Sequence, residues 1–345
     1  MSNSINENRC LWLDYLKVFL AFVIVMQHSI SPSWTSLPTE SIEWQIINIF
    51  FLFSKTAVPL FVMCSGIGML SKERTIFTIW RKNIFHLLKA YICWMIVYGI
   101  YDLISLYTSG YTEARLYINA LLKSVLFGRY HTWFIIMLLG LYMITPLLSA
   151  ITQKKEHLQY FIVLSVIFTT ILPIIQHFSQ LSRLYDVIQN IHMNFVVGYS
   201  MYYLLGYYIF NYVPIKPFKH PTAFFLIIFA GACFISSYLS VQTKIPNQEI
   251  FIDFSFIAVI LNCLLMVLFR QLFEDPKSRI HFTGRLASLS KYGIVIYIIH
   301  PLFLWIIPEH ADLMSLFYAV LIWIIALLVS IIIKKIPLIN KFLFI

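Results

Sequence analysis

Apolar residues form long, uninterrupted runs along the whole chain. Most of these runs are about 20 positions long, which lets an α-helix cross about 30 Å of hydrocarbon. Strands of an outer-membrane barrel would instead alternate apolar and polar residues over about ten positions. The pattern therefore predicts an all-α fold, a polytopic membrane helix bundle with about ten transmembrane helices. We place these helices at about 11–30, 45–70, 84–107, 131–151, 158–176, 193–213, 221–241, 250–272, 290–308 and 313–333.

The composition agrees with a membrane protein and excludes a water-soluble globule. The 345 residues are 60% hydrophobic and 12% charged, whereas soluble chains average about 45–50% apolar and about 25% charged. No repeat, low-complexity tract or separate polar domain is visible, so we expect one integral-membrane domain over 1–345. The less apolar segment 112–129 is expected to be an interfacial helix. The five cysteines have no metal-ligand spacing, so no metal site is predicted.

The net charge of +10 predicts the orientation of the chain in the membrane. The terminal segments and loops on the same side of the membrane as the N-terminus hold 17 Lys and Arg residues, against five on the opposite side. Short loops rich in Lys and Arg stay in the cytoplasm. We therefore expect both termini to be cytoplasmic, and the basic charge requires no nucleic-acid partner.

Three ionisable residues lie within the first predicted span. A charged group there costs at least about 2.5–3.5 kcal/mol, so each needs an explanation. Asp14 and Lys17 are three positions apart and share a helix face, as do Lys17 and His28, which are about three turns and about 16 Å apart. Two interpretations remain open: an interfacial ion pair with a separately hydrogen-bonded His28, or one polar path along the helix.

Two further charges, Lys55 and Asp253, also lie within predicted spans. Buried charges in membranes usually pair with each other. We expect a structural role for both, with Lys55 and Asp253 paired to one another or to Asp102.

Several short motifs in a fixed order resemble the acyltransferase family 3 proteins. The first is Leu-Asp-Tyr-Leu-Lys at 13–17, followed by an apolar stretch that ends at His28. The family consists of integral-membrane O-acyltransferases that modify bacterial surface carbohydrates. The other matching segments are 58–66, 131–134, 140–147, 204–208 and 292–301.

The chain departs from the family pattern at two places. Lys17 stands where many members have Arg, and a Lys cannot form the bidentate fork of a guanidinium. The basic element after the second span is represented by Arg81 and Lys82, with Asn83 and His86 at the two family Arg positions. The charge is kept, but the role of each basic residue is less defined.

The resemblance implies acetyl-CoA as the acyl-donor cosubstrate, no metal, and a carbohydrate acceptor. It also implies a multi-pass protein in the bacterial inner (cytoplasmic) membrane, and it leaves the oligomeric state open. His28 would act as a general base or as a transient acyl carrier. The implied assignments are His28, Asp14 and Lys17 as catalytic; Arg81, Lys82 and Ser65 as donor-binding; and His131, Trp133 and His300 as acceptor-binding.

Some of these residues have structural alternatives. Ser65 would suit a small-residue contact between helices, and Trp133 an anchor at the membrane interface. His300 precedes Pro301, which breaks the helical hydrogen-bond pattern and frees a backbone carbonyl that needs a partner. A structural role for His300 is therefore an equal alternative to acceptor binding.

Two other functions fit a polytopic bundle with buried charges. One is a secondary transporter or flippase for a glycan or acyl-group precursor, and the other is a non-catalytic partner of a polysaccharide synthase or exporter. Transporters often contain internal repeats. The chain shows none, and its embedded polar residues concentrate on the first three spans, which favours the acyltransferase.

Overall fold

The protein is a bundle of α-helices. The computed structural model describes residues 10–111, 113–175, 198–216, 220–274, 284–307, 312–337 and 340, and in these ranges it contains no β-strand. The main helices, in chain order, are α1 (Leu11–Ser36), α2 (Ile42–Ser54), α3 (Ala57–Leu70), α4 (Ile76–Thr108), α5 (Ala114–Phe127), α6 (Trp133–Thr152), α7 (Lys155–Ile174), α8 (Ser200–Tyr212), α9 (Pro221–Thr243), α10 (Phe256–Glu274), α11 (Gly284–Ile306) and α12 (Met314–Lys335).

The predicted all-α membrane bundle is confirmed. Nine segments of the described chain are long and apolar enough to cross a membrane. They comprise all the main helices except α5 and α8, with α2 and α3 counted as one segment that is interrupted at Lys55 and Thr56. The predicted span 193–213 is represented by α8, and its first residues, 193–197, lie outside the described residues. Helix α5 occupies the segment expected to be interfacial.

Helix α1 lies at the centre of the bundle. It packs against α2, α3, α10, α11 and α12, and its apolar side chains are buried on all sides. A helix that is apolar all round suits a position surrounded by other helices. Lys17 and His28, which lie within this surrounded part of α1, are therefore accessible to a site between helices.

Helix α3, which packs against α1, crosses α8 at very short distance, and this crossing fixes the position of α3. A Cβ atom added at Gly66 would lie 1.9 Å from the Tyr203 carbonyl oxygen, and one at Gly206 would lie 2.3 Å from the Met63 carbonyl oxygen. Small residues allow membrane helices to approach this closely. Gly66 is therefore a packing residue, whereas its neighbour Ser65 lines a cavity.

Helix α11 is irregular, and side chains from elsewhere bind its backbone. Pro301 has no N–H and cannot donate to the Tyr297 carbonyl four residues earlier. Next to this break, the Tyr98 hydroxyl of α4 donates to the Ile298 carbonyl at 2.5 Å. The Tyr297 hydroxyl in turn donates to the carbonyl of His131. These bonds join α4, α11 and the start of α6 around one buried region.

Candidate active site

Three histidines from distant parts of the chain meet in the bundle. His28 comes from α1, His131 from the turn before α6, and His300 from α11. The ring centroids of His28 and His300 are 5.2 Å apart, and those of His131 and His300 are 6.0 Å apart. His131 is 1% exposed and His300 0%, whereas His28 is half-buried. We call His28, His131 and His300 the histidine cluster.

Tyrosine rings enclose the histidine cluster. The Tyr130 ring centroid lies 5.4 Å from that of His28 and 5.1 Å from that of His131. Tyr297 lies 6.1 Å from His131 and 6.2 Å from His300 by the same measure. The rings form a continuous wall, from Tyr297 through His300 to His28.

Several ring nitrogens of the cluster have no hydrogen-bond partner among the described residues. His300 Nδ1 lies 3.2 Å from the Ile296 carbonyl oxygen, but His300 Nε2 is buried and unpartnered. The His131 nitrogens are also buried and make no hydrogen bond of good geometry to the described residues, with the Ile298 backbone as a close polar neighbour. Because buried polar atoms in native proteins are nearly always hydrogen-bonded, this unused capacity favours a site that handles a substrate or a proton over a purely structural one.

The turn that carries Tyr130 and His131 is held tightly. Gly128 has φ +68°, and a Cβ atom there would lie 2.6 Å from Thr132 Oγ1, so glycine suits this position. The Arg129 N–H donates to Thr132 Oγ1 at 2.9 Å, and the Arg129 guanidinium pairs with Asp102 of α4. These contacts fix the direction in which His131 enters the bundle.

A cavity of about 310 Å³ approaches the histidine cluster from the end of α1 that carries Lys17. Three cationic residues line it, namely Lys17, Arg74 and Lys291. The lining follows one face of α1 from Lys17 as far as Ile24, which is one helical turn from His28. We call this space the Lys17 cavity.

Polar side chains also line the inner part of the Lys17 cavity. Ser65 Oγ donates to the Tyr142 hydroxyl at 3.2 Å, and both residues line the cavity. Tyr297 lines it as well, so the cavity reaches the ring wall. Ser65 therefore lines the same cavity as Lys17, and its bond to Tyr142 fixes its orientation, while its role at the donor stays a prediction.

A second cavity, of about 470 Å³, lies at the opposite end of α1 and is lined by His28 and Tyr130. We call it the His28 cavity. Its lining residues come from α1, the turn before α6, α11 and its C-terminal end, and α12, and none of them lines the Lys17 cavity. The two cavities thus lie on opposite sides of the ring wall, and His28 forms part of the boundary.

The structure brings some predicted site residues together and leaves others apart. Arg81 and Lys82 are exposed and do not line the Lys17 cavity, and the Arg81 guanidinium lies 5.9 Å from the Phe77 ring centroid. Trp133 is 45% exposed, and its ring is 5.7 Å from that of Tyr199 rather than in the histidine cluster. Their predicted roles in donor and acceptor binding stay predictions.

Asp14 and the other embedded charges have defined partners. Asp14 Oδ1 accepts a hydrogen bond of 2.8 Å from Ser290 Oγ, which ties α1 to α11 beside the Lys17 cavity. Asp102 pairs with Arg129. Asp253 accepts from the Tyr199 hydroxyl, and the Lys55 ammonium lies 4.5 Å from the Phe51 ring centroid. The expected pairing of Lys55 and Asp253 with one another or with Asp102 is not found among the described residues, because Asp102 pairs with Arg129 and Asp253 is bonded by Tyr199 instead. Their structural role stays a prediction.

Arg74, Lys291, Tyr142 and Tyr297 line the Lys17 cavity, although the sequence alone assigned no role to any of them. Arg74 and Lys291 are loop charges, and their position beside predicted span ends was the available signal. The two tyrosines lie in the family-like segments 140–147 and 292–301, but residue type alone did not single them out, because 21 tyrosines are spread along the chain.

A family model described as an acyltransferase domain matches residues 11–335. The chain belongs to acyltransferase family 3. This family comprises membrane acyltransferases, and the match includes the histidine cluster and both cavities. The comparisons find no matching curated protein and no matching solved structure. Within the described part of the family 3 domain, no three His, Cys, Asp or Glu side chains are grouped to hold a metal ion.

Proposed function

We propose that this family 3 protein transfers an acetyl group from cytoplasmic acetyl-CoA to a hydroxyl of a surface polysaccharide or its lipid-linked precursor. The observation that carries the proposal is the pair of cavities that approach the histidine cluster from opposite ends of α1. A donor and an acceptor can thus reach His28 from the two sides of the membrane. The excess of Lys and Arg, 17 to five, supports a cytoplasmic position for the Lys17 cavity.

The charges of the Lys17 cavity suit the donor. Coenzyme A is anionic at its nucleotide end and has a long, thin pantetheine arm. Arg74, Lys17 and Lys291 offer charge-assisted hydrogen bonds to phosphate groups, and the Arg74 guanidinium is held beside the cavity by its bonds to Met69 Sδ and the Gly68 carbonyl. The arm would extend along α1 for the roughly 16 Å between Lys17 and His28.

The chemistry assigns His28 to the reacting hydroxyl. In the general-base route, His28 takes the hydroxyl proton as the oxygen attacks the thioester carbonyl, the new C–O bond forms and the C–S bond breaks. The imidazolium then returns the proton to the departing thiolate, which leaves as the thiol of coenzyme A. In the acyl-carrier route, an imidazole nitrogen attacks the thioester carbonyl, the C–S bond breaks and coenzyme A leaves as its thiolate. The sugar hydroxyl then attacks the acyl-imidazole, the C–O bond forms as the C–N bond breaks, and the hydroxyl proton passes to the thiolate.

His300 suits a positioning role better than acceptor binding. It is fully buried, whereas a sugar in the His28 cavity would meet His28 and Tyr130. Its Nδ1 is close to the Ile296 carbonyl, so a proton on Nδ1 leaves Nε2 as an acceptor beside His28. His300 would thus orient the His28 ring and accommodate the charge that His28 gains.

The test of this proposal uses the full chain purified in lipid nanodiscs, with radiolabelled acetyl-CoA and a mixture of bacterial surface glycans. The proposal expects thioester consumption in equal amount to acetyl esters formed on the glycan. A flippase or a non-catalytic partner would consume no thioester. Protein that folds and inserts but leaves both acetyl-CoA and glycan unchanged would contradict the proposal.

A further inference from the structure

Uncharged groups line the His28 cavity, and His28 supplies the one imidazole among its described lining residues. No Asp, Glu, Lys or Arg side chain is among them. The lining combines aromatic rings, including Trp305 and Tyr130, with hydroxyl groups, including Ser29, Thr35 and Ser315. Its volume of about 470 Å³ lies in the range of about 300–1,000 Å³ that is usual for small-molecule sites.

Three hydroxyl groups of this cavity already donate their hydrogens to the backbone. Ser29 Oγ donates to the Val25 carbonyl at 2.9 Å, and Ser315 Oγ donates to the Asp312 carbonyl at 2.8 Å. Thr35 Oγ1 lies 3.0 Å from the Pro32 carbonyl oxygen. A hydroxyl has one donor and two acceptor lone pairs. The oxygens of these three residues therefore offer acceptors, which suit the hydroxyl donors of a sugar rather than an anion.

The charges near the cavity lie outside its lining. Arg129 contacts Trp305, its guanidinium lying 5.5 Å from that ring, but it is paired with Asp102. The Asp312 carboxylate accepts the Met314 N–H at 2.8 Å, and Lys55, which is within electrostatic range of His28, does not line the cavity. A carboxylate or phosphate on the acceptor would thus enter a lining that offers it no cation as a direct partner, which is unfavourable.

We infer that the His28 cavity binds the acceptor as an uncharged, polyhydroxylated sugar unit and discriminates against uronic acids and phosphorylated sugars. This inference rests on the proposed acyl transfer and adds the site and the charge class of the acceptor. The aromatic rings provide apolar surface for the C–H faces of the sugar, and the hydroxyl oxygens accept its O–H groups.

Matched pairs of sugars test the charge class. The purified chain in nanodiscs receives radiolabelled acetyl-CoA and the methyl glycoside of either a uronic acid or its neutral uronamide, in the gluco, galacto and manno series. Both members of a pair lack the 6-hydroxyl and differ in charge, and the parent methyl glycoside is measured beside them to show acetylation at that hydroxyl. We expect kcat/KM to be about 100-fold higher for the neutral member, because an unpaired charge in the cavity is costly. Equal rates within a pair, or a faster uronic acid, would overturn the inference.

A cation placed in the cavity provides the reciprocal test. Thr35→Lys adds an ammonium group at a lining residue, and we expect it to raise the relative rate of the uronic acid about fivefold. Ser36→Lys is the matched control, because Ser36 is the next exposed residue and does not line the cavity. An equal effect of both variants would show that general surface charge, and not this cavity, selects the acceptor.

Failure of the inference and failure of the proposed function give different results. Consumption of thioester without acetylation of any neutral glycoside, while anionic glycosides are acetylated, contradicts only the charge class. Consumption of thioester with no glycoside acetylated at all removes the acceptor assignment of the cavity. No consumption of thioester with any acceptor contradicts the acyl transfer itself, and the inference falls with it.

Discussion

Gly68 allows the donor assignment of the Lys17 cavity to be tested by filling the cavity. Gly68 lines it near the end of α3, and a Cβ atom added there would have no other heavy atom within 4 Å. The Cβ of a leucine at this position would therefore start in open space, and the rest of the side chain can extend into the space assigned to the pantetheine arm, next to the Arg74 guanidinium that donates to the Gly68 carbonyl. The helix itself should gain, since leucine favours a helix over glycine by about 0.5–1 kcal/mol.

The expected effect of Gly68→Leu is on donor binding and not on folding. Extra methylenes forced into occupied space cost about 1–3 kcal/mol. This cost corresponds to a rise of about 5- to 150-fold in the KM for acetyl-CoA. The melting temperature of the protein without donor should stay unchanged or rise slightly. The assay compares thermal unfolding with steady-state kinetics at several acetyl-CoA concentrations.

Two other glycines give matched controls. Gly140→Leu also adds a side chain where nothing lies within 4 Å, but Gly140 lines neither cavity, so KM should be unchanged. Gly66→Ala should lower the melting temperature, because its Cβ would meet the Tyr203 carbonyl oxygen at 1.9 Å. A KM for Gly68→Leu equal to that of Gly140→Leu would refute the donor assignment.

Three further variants test other parts of the site. His300→Gln should lower kcat without raising the KM for the acceptor, and a raised KM with normal kcat would instead indicate direct sugar binding. Arg74→Ala should raise the KM for acetyl-CoA about tenfold, and by more than Arg81→Ala does, because Arg74 lines the cavity. Steady-state kinetics at two salt concentrations would check this, and a larger effect of Arg81→Ala would restore the sequence-based assignment. Asp102→Asn should destabilise the protein by about 1–3 kcal/mol, since it removes the charge partner of Arg129, and an unchanged melting temperature would show that the turn is held by its other contacts.

The helices were predictable because apolar runs of membrane-crossing length leave few alternatives for the backbone. The position of each charge was less predictable. His28 could be identified as a candidate because an ionisable group within a span is costly, but its approach to His300 depends on the packing of α11 against α1. Spacing alone could not show that Arg74 lines the Lys17 cavity and Arg81 does not. A π-helical turn at Ile79–Ile84 changes which side chains of α4 face the bundle.

The different roles of two neighbouring glycines in α3 were also hidden in the sequence. Gly66 and Gly68 are two positions apart and look equivalent, yet one contacts the α8 backbone and the other faces a cavity. Only the arrangement of α3 between α1 and α8 separates these roles.

The rate of acetyl transfer by His28→Gln, measured at equal amounts of folded protein, tests the central claim most directly. Glutamine keeps hydrogen-bonding capacity but cannot accept a proton near neutral pH. The account predicts a rate lower by about 10²–10⁴-fold, the usual contribution of a catalytic base. A structural hydrogen bond between membrane helices is worth about 0.6 kcal/mol, or about threefold. A folded His28→Gln variant with a rate within about threefold of the unmodified protein would contradict the assignment of His28.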